Sequence, residues 1–128
     1  MNIQAGLLYT EHDEWVQVDG DVITVGITDF AQDQLGEIVH VELPAVGRRV
    51  AAGDAVCEVE SVKAVAEVYA PVGGEVIAVN DQLDGGEDAI NSDPYGNGWI
   101  VKLKLTGSVD NPDLLDAAAY TAHVDARA

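Results

Sequence analysis

The chain has 128 residues, enough for one compact domain with one core and too few for two ordinary domains. Its apolar share of 48% excludes disorder by composition, and no stretch approaches the roughly 20 continuous apolar residues of a membrane-spanning helix. Against 23 Asp and Glu stand six Lys and Arg, for a formal charge of −17, which argues against nucleic acid and anionic membranes as partners because both would repel this surface.

The start, Met1-Asn2-Ile3-Gln4, has no basic segment running into an apolar one and no Arg-rich leader, so the chain reads as cytoplasmic. Trp15–Val18, Asp19-Gly20 and Asp21–Ile27 form a predicted hairpin whose second arm turns Ile23, Val25 and Ile27 inward. Thr28 can cap a short helix over Asp29–Leu35, with Gly36 just past its end. In Ile38–Leu43 the alternation predicts Val39, Val41 and Leu43 inward and His40 and Glu42 outward, until Pro44 stops the strand. Turn signals then come quickly, at Gly47, Gly53-Asp54, Pro71, Gly73-Gly74 and Asn80-Asp81, between short Val- and Ala-rich strands. That spacing suits a small sandwich or barrel.

The segment from Asp81 to Gly98 has no regular pattern, and a loop of that length is either functional or wrapped on the core. Trp99–Leu105 predicts a strand with Trp99, Val101, Leu103 and Leu105 inward and Lys102 and Lys104 in solvent. Asn111-Pro112-Asp113 is a strong helix start, so a helix is predicted over about 112–124, with Leu115, Ala118, Ala119 and Ala122 on the sheets. The predicted fold is therefore mostly β: a small two-sheet sandwich with a short helix after Thr28 and a C-terminal helix, in one domain spanning 1–128.

Cys57 stands alone and reads as a small buried residue. His12, His40 and His123 are too dispersed to suggest a metal site. Lys63 is different, because two β-rich arms meet near it within about 56–70. A hairpin tip holds a side chain clear of the surface on a rigid base, as a covalently loaded arm requires. With Glu60 and Glu67 on either side, the lysine reads as a modification site rather than a Schiff-base catalyst.

Longer motifs stand at His12-Asp13-Glu14-Trp15-Val16, Val25-Gly26-Ile27-Thr28-Asp29, Val41-Glu42-Leu43-Pro44 and Glu60-Ser61-Val62-Lys63 with Tyr69-Ala70-Pro71. They continue through Asn91-Ser92-Asp93-Pro94-Tyr95-Gly96 and Leu114-Leu115-Asp116-Ala117, so they span nearly the whole chain. Their order and spacing carry a resemblance to the H proteins of the glycine cleavage system. It implies the barrel-sandwich hybrid of lipoyl and biotinyl carriers, with lipoate attached as an amide to Lys63 by a lipoylation enzyme. Glu60, Ser61, Val62 and Ala64 then form the local motif.

The resemblance also implies a monomeric carrier that is not itself an enzyme. Its partners are a glycine decarboxylase with pyridoxal phosphate, a tetrahydrofolate-dependent aminomethyltransferase, and a dihydrolipoyl dehydrogenase using FAD and NAD. The alternative is a relay that hands lipoate to other carriers. The family's loaded arm folds back into a groove, for which Glu14, Phe30, Gln34 and Glu67 are the matching candidates. Ala66-Glu67 stands where many relatives have Ser-Asp, and Phe30 where many have a ring with a polar atom. Capping Lys63 removes one of six positive charges, and the acidity that remains implies docking on basic partner surfaces.

Overall fold

The computed structural model describes residues 2–107 and 113–127. Short alternating segments separated by turns give nine strands among the described residues, in two antiparallel sheets. The larger sheet contains β1 (Leu8–Tyr9), β2 (Glu14–Asp19), β3 (Val22–Ile27), β5 (Arg49–Val50), β8 (Gly74–Val79) and β9 (Val101–Leu105), in the order β1-β2-β3-β9-β8-β5. The smaller contains β4 (Ile38–Glu42), β6 (Ala55–Ser61) and β7 (Val65–Tyr69), in the order β4-β6-β7. Three helices accompany them: α1 (Asp29–Leu35), α2 (Asp88–Ser92) and α3 (Ala117–Arg127). None is long and apolar enough to cross a membrane.

The predicted hairpin is β2 and β3, and Ile23, Val25 and Ile27 are buried. They join Val76 of β8 and Leu103 of β9 in one apolar cluster with Ile38, Val41, Val59 and Val68 of the smaller sheet. Removing these aliphatic faces from water is what drives the two sheets together. Cys57 lies in the same cluster, and burial pushes its thiol up to about 12. Thr28 caps α1 as predicted, its hydroxyl accepting from Ala31 N–H at 3.2 Å.

Three expectations are corrected. In β4 the register shifts between Ile38 and His40, so Ile38 and Val41 are buried and Val39 is 42% exposed. An irregularity of one residue is enough to turn a side chain to the other face. Trp99 precedes its strand, and Ile100 takes the buried place before Val101. The indole is half-buried and lies under Lys102, whose Nζ is 5.3 Å from the ring centroid, so only Lys104 is fully in solvent. The C-terminal helix begins at Ala117, with Asp116 accepting from Ala119 N–H at 2.8 Å. Leu115 instead bridges Tyr9 as an isolated β pair, and Tyr120 and Val124 are the buried helix residues while Ala118, Ala119 and Ala122 are exposed. Asn111 and Pro112 lie outside the described residues.

The irregular stretch after Asn80 is wrapped on the core. A 3-10 turn at Asp81–Leu83 buries Leu83, and α2 buries Ile90. The Asn80 amide closes the stretch by donating to the Asn97 and Trp99 carbonyls, each at 2.8 Å.

A second cluster holds the larger rings: Tyr9, Trp15, Tyr120 and Val124, with Phe30, Tyr95 and Trp99 against it. Tyr9 and Tyr120 stack at 4.6 Å, which fastens α3 to β1. Trp15 lies flat across Gly26, its cross-strand partner, and its indole N–H donates to the Pro94 carbonyl at 2.9 Å. A Cβ at Gly26 would stand 2.6 Å from the Trp15 Nε1. Gly26→Ala should therefore displace the indole and break its bond to Pro94, costing about 2 kcal/mol in urea unfolding. A loss below about 0.5 kcal/mol would contradict this packing.

Candidate functional site

β6 and β7 pair Glu60 with Val65, Val59 with Ala66 and Glu58 with Glu67, so the hairpin turns over residues 62–64. One hydroxyl organises the turn. Ser61 Oγ accepts from Lys63 N–H at 3.3 Å and from Ala64 N–H at 3.0 Å, while Ser61 N–H donates to the Ala64 carbonyl at 2.8 Å. Serine is well suited here because its short side chain reaches backbone groups two and three residues ahead. Ser61 is buried, whereas Val62, Lys63 and Ala64 are exposed. The lysine thus leaves a turn whose own backbone is hydrogen-bonded.

At the far end of β7 lies Glu14, the first residue of β2. Only 1% of it is exposed, so it is no solvated surface acid. Its Oε1 accepts from the Thr10 hydroxyl at 2.5 Å and its Oε2 from Tyr69 N–H at 3.1 Å, tying the larger sheet to β7. Burial raises its carboxyl above the usual range, although both hydrogen bonds and the nearby His12 oppose the rise. Glu14 lines an open cavity of about 410 Å³ together with Thr10, His12, Tyr69, Pro71 and Leu114. The His12 and Tyr69 rings meet at 5.0 Å at this cavity.

The other groove candidates are not brought to it. Phe30, on α1, is half-buried in the ring cluster, with the Arg127 guanidinium 4.8 Å above its centroid. Gln34 is exposed on the same helix. Glu67 lines a smaller cavity of about 240 Å³ with Glu42, Glu58 and Arg48. Its carboxylate acts on the larger cavity's lining through Tyr69, whose phenol it holds above the usual range. Conversely, sequence reasoning passed over Thr10 and Tyr69 as groove residues and set His12 aside as too isolated. Glu14 and Tyr69 are 55 positions apart and meet only through the packing of the two sheets. Tyr95 serves as an anchor, its hydroxyl donating to the Asn2 carbonyl at 2.6 Å and accepting from Asp29 N–H at 3.2 Å.

A small β domain that holds one lysine out on a braced hairpin, with a carboxylate-lined cavity behind it, has the form of a carrier. The family model described as "Glycine cleavage H-protein" matches residues 7–127, and the chain belongs to that family. It is similar to the glycine cleavage system H protein of Laribacter hongkongensis, at 53% identity over 124 residues, which are 96% of this chain and 98% of that one. The H protein of Thermus thermophilus is 48% identical over the whole of both chains. A crystal structure of a glycine cleavage system H protein from Mycobacterium marinum superposes with a TM-score of 0.88, at 36% identity, covering 96% of this chain and 99% of that one. The chain is a carrier component of the glycine cleavage system.

A carboxyl whose folded pKa is raised stabilises the fold most below the unfolded pKa, and that contribution is lost as pH rises through the folded value. Glu14 is such a group. Glu14→Gln should remove this dependence while keeping an acceptor for Tyr69 N–H. Its unfolding free energy, relative to wild type, should therefore grow between about pH 4 and pH 8. A difference that stays constant over that range would show that Glu14 ionises as freely in the fold as in the unfolded chain.

Proposed function

We propose that Lys63 carries lipoate as an amide on its Nζ, and that the chain itself performs no catalysis. The carrying observation is the placement of the cations. Lys63 stands exposed on the Ser61 turn, whereas Lys102 lies over Trp99, Arg127 pairs with Asp13 and Arg49 with Glu75. Arg48 lines the smaller cavity among carboxylates, and Lys104 sits within β9.

The residues suit the group. Bond lengths near 1.5 Å make the lysine stem plus acyl chain about 14 Å long, and the five steps from Ala64 to Tyr69 along β7 cover about 16 Å. An arm laid back along β7 would end beside Glu14, whose carboxylate is already desolvated and held by two hydrogen bonds. There it would accept hydrogen bonds from an amino group, and the cavity walls would keep water away. When bound, lipoate supplies a disulfide that opens to take a one-carbon amine and is later restored by reoxidation. This chain's part is to hold the arm's root still and to shelter its far end. Tethering then replaces diffusion with a high effective concentration.

The partners in this reading are the glycine decarboxylase, the aminomethyltransferase and the dihydrolipoyl dehydrogenase of the system, together with a lipoylation enzyme, and the setting is the cytoplasm. Glu42, Glu58 and Glu67 lie opposite one another across three strands. With the formal charge of −17, they suit docking on basic surfaces at the partners' entrances.

The test is exchange of labelled bicarbonate into the glycine carboxylate by the partner decarboxylase. The lipoate-loaded chain should support saturable exchange that weakens with added salt, and Lys63→Arg should support none. A loaded chain that failed to stimulate exchange would favour the lipoate-relay role instead. Exchange unaffected by Lys63→Arg would overturn the assignment of the lysine.

A further inference from the structure

We infer that Asn91 is a positioning residue for Lys63, bracing from behind the segment on which the lysine-bearing tip rests. The inference builds on the reading of Lys63 as the loaded lysine. Asn91, in α2, spends its whole amide near one turn. Its Oδ1 accepts from Ile38 N–H at 2.9 Å, and its Nδ2 donates to the Gly36 carbonyl at 2.8 Å and to Gln32 Oε1 at 3.0 Å. A neighbouring strand would pair the same two backbone groups, so the side chain stands in for a strand partner at the start of β4. Reversing the amide would set N–H against N–H and oxygen against oxygen, so the backbone itself selects this orientation.

The other side of this segment meets the hairpin tip. The Glu37 carbonyl accepts from Val62 N–H at 3.1 Å. Gly36 has φ +78°, and a Cβ built there would lie 3.6 Å from Lys63 Cε, so the lysine stem passes over a position kept bare. Asn91 therefore acts on Lys63 through residues 36–38 and Val62, without touching the lysine. Ser61 closes the turn from within, and Asn91 fixes the turn relative to the rest of the domain.

Without the brace, the tip would spend part of its time away from the geometry an enzyme must engage. Apparent affinity falls by the fraction lost, while turnover of the engaged complex is unchanged. The experiment is ATP-dependent loading of free lipoate by a lipoate–protein ligase on the folded chain, with backbone hydrogen exchange read on the same samples. Asn91→Ala should raise the KM for the carrier roughly five- to tenfold with kcat within about twofold. Val62 N–H should exchange roughly tenfold faster or more, while Val59, inside the ladder, should stay within about twofold. Asn91→Asp keeps an acceptor for Ile38 and loses the donor to Gly36, so it should fall between wild type and alanine. It carries the comparison if the alanine variant does not fold.

A KM within about twofold of wild type, or a loss confined to kcat, overturns the inference. If the wild-type chain is not loaded at all, the lipoyl reading fails instead. Val62 exchange then still decides the brace, and an unchanged rate in Asn91→Ala overturns it.

Discussion

A swinging arm is only as well aimed as its root, and under the proposed loading of Lys63 that root is a backbone turn closed by one serine hydroxyl. Ser61 Oγ serves the amides of both Lys63 and Ala64, the two N–H groups that the end of the β6–β7 ladder would otherwise leave to solvent. Net hydrogen-bond contributions are small one at a time, on the order of 1 kcal/mol. Two on one atom, added to the Ser61–Ala64 backbone bond, nevertheless distinguish a defined turn from a frayed hairpin end. The exposed lysine adds nothing to the core, so its geometry depends wholly on these bonds and on the segment behind them.

Two other features take their meaning from that root. Glu14 holds the opposite end of β7 by accepting from Tyr69 N–H, so the strand leading away from the lysine is fixed at both ends. The carboxylate achieves this while buried, where charge is costly, and its raised pKa records that cost. In the proposed reading, this group beside an open cavity is the one that receives the polar end of the arm. The charge distribution follows a similar logic. Opposed carboxylates on β4, β6 and β7 oppose sheet pairing slightly, and the exposure of Glu42 and Glu67 lets water screen them. The result is an acidic face on the same sheet that bears the tip.

Much of this was legible in the sequence wherever the signal was local. The alternation in Asp21–Ile27 predicted the inward face of β3, and two β-rich arms around residue 63 placed the lysine at a tip observed between β6, ending at Ser61, and β7, beginning at Val65. What escaped was set by single-residue offsets or by long-range packing. The irregularity near His40 reverses Val39 without any glycine or proline to announce it. Asn111-Pro112-Asp113 reads as a strong helix start, yet Leu115 pairs with Tyr9 as a β bridge and the helix begins only at Ala117, after Asp116. That delay changes which residues face inward, and Tyr120 takes the place expected for alanines. The Glu14–Tyr69 and Asn91–Ile38 contacts join residues more than fifty positions apart. No periodicity in one sequence carries such pairings, although Glu14, Tyr69 and Asn91 fall within the motifs that the family resemblance picks out.

The most direct test of the central claim, that one braced lysine carries the arm, is site-resolved fragmentation mass spectrometry. The chain would be produced in lipoate-supplied cells beside a second known lipoyl carrier. The account predicts one lipoyl amide, on Lys63, with Lys102 and Lys104 unmodified. A lipoyl group on either of those strand lysines, or an unmodified chain from cells in which the second carrier is loaded, would contradict it.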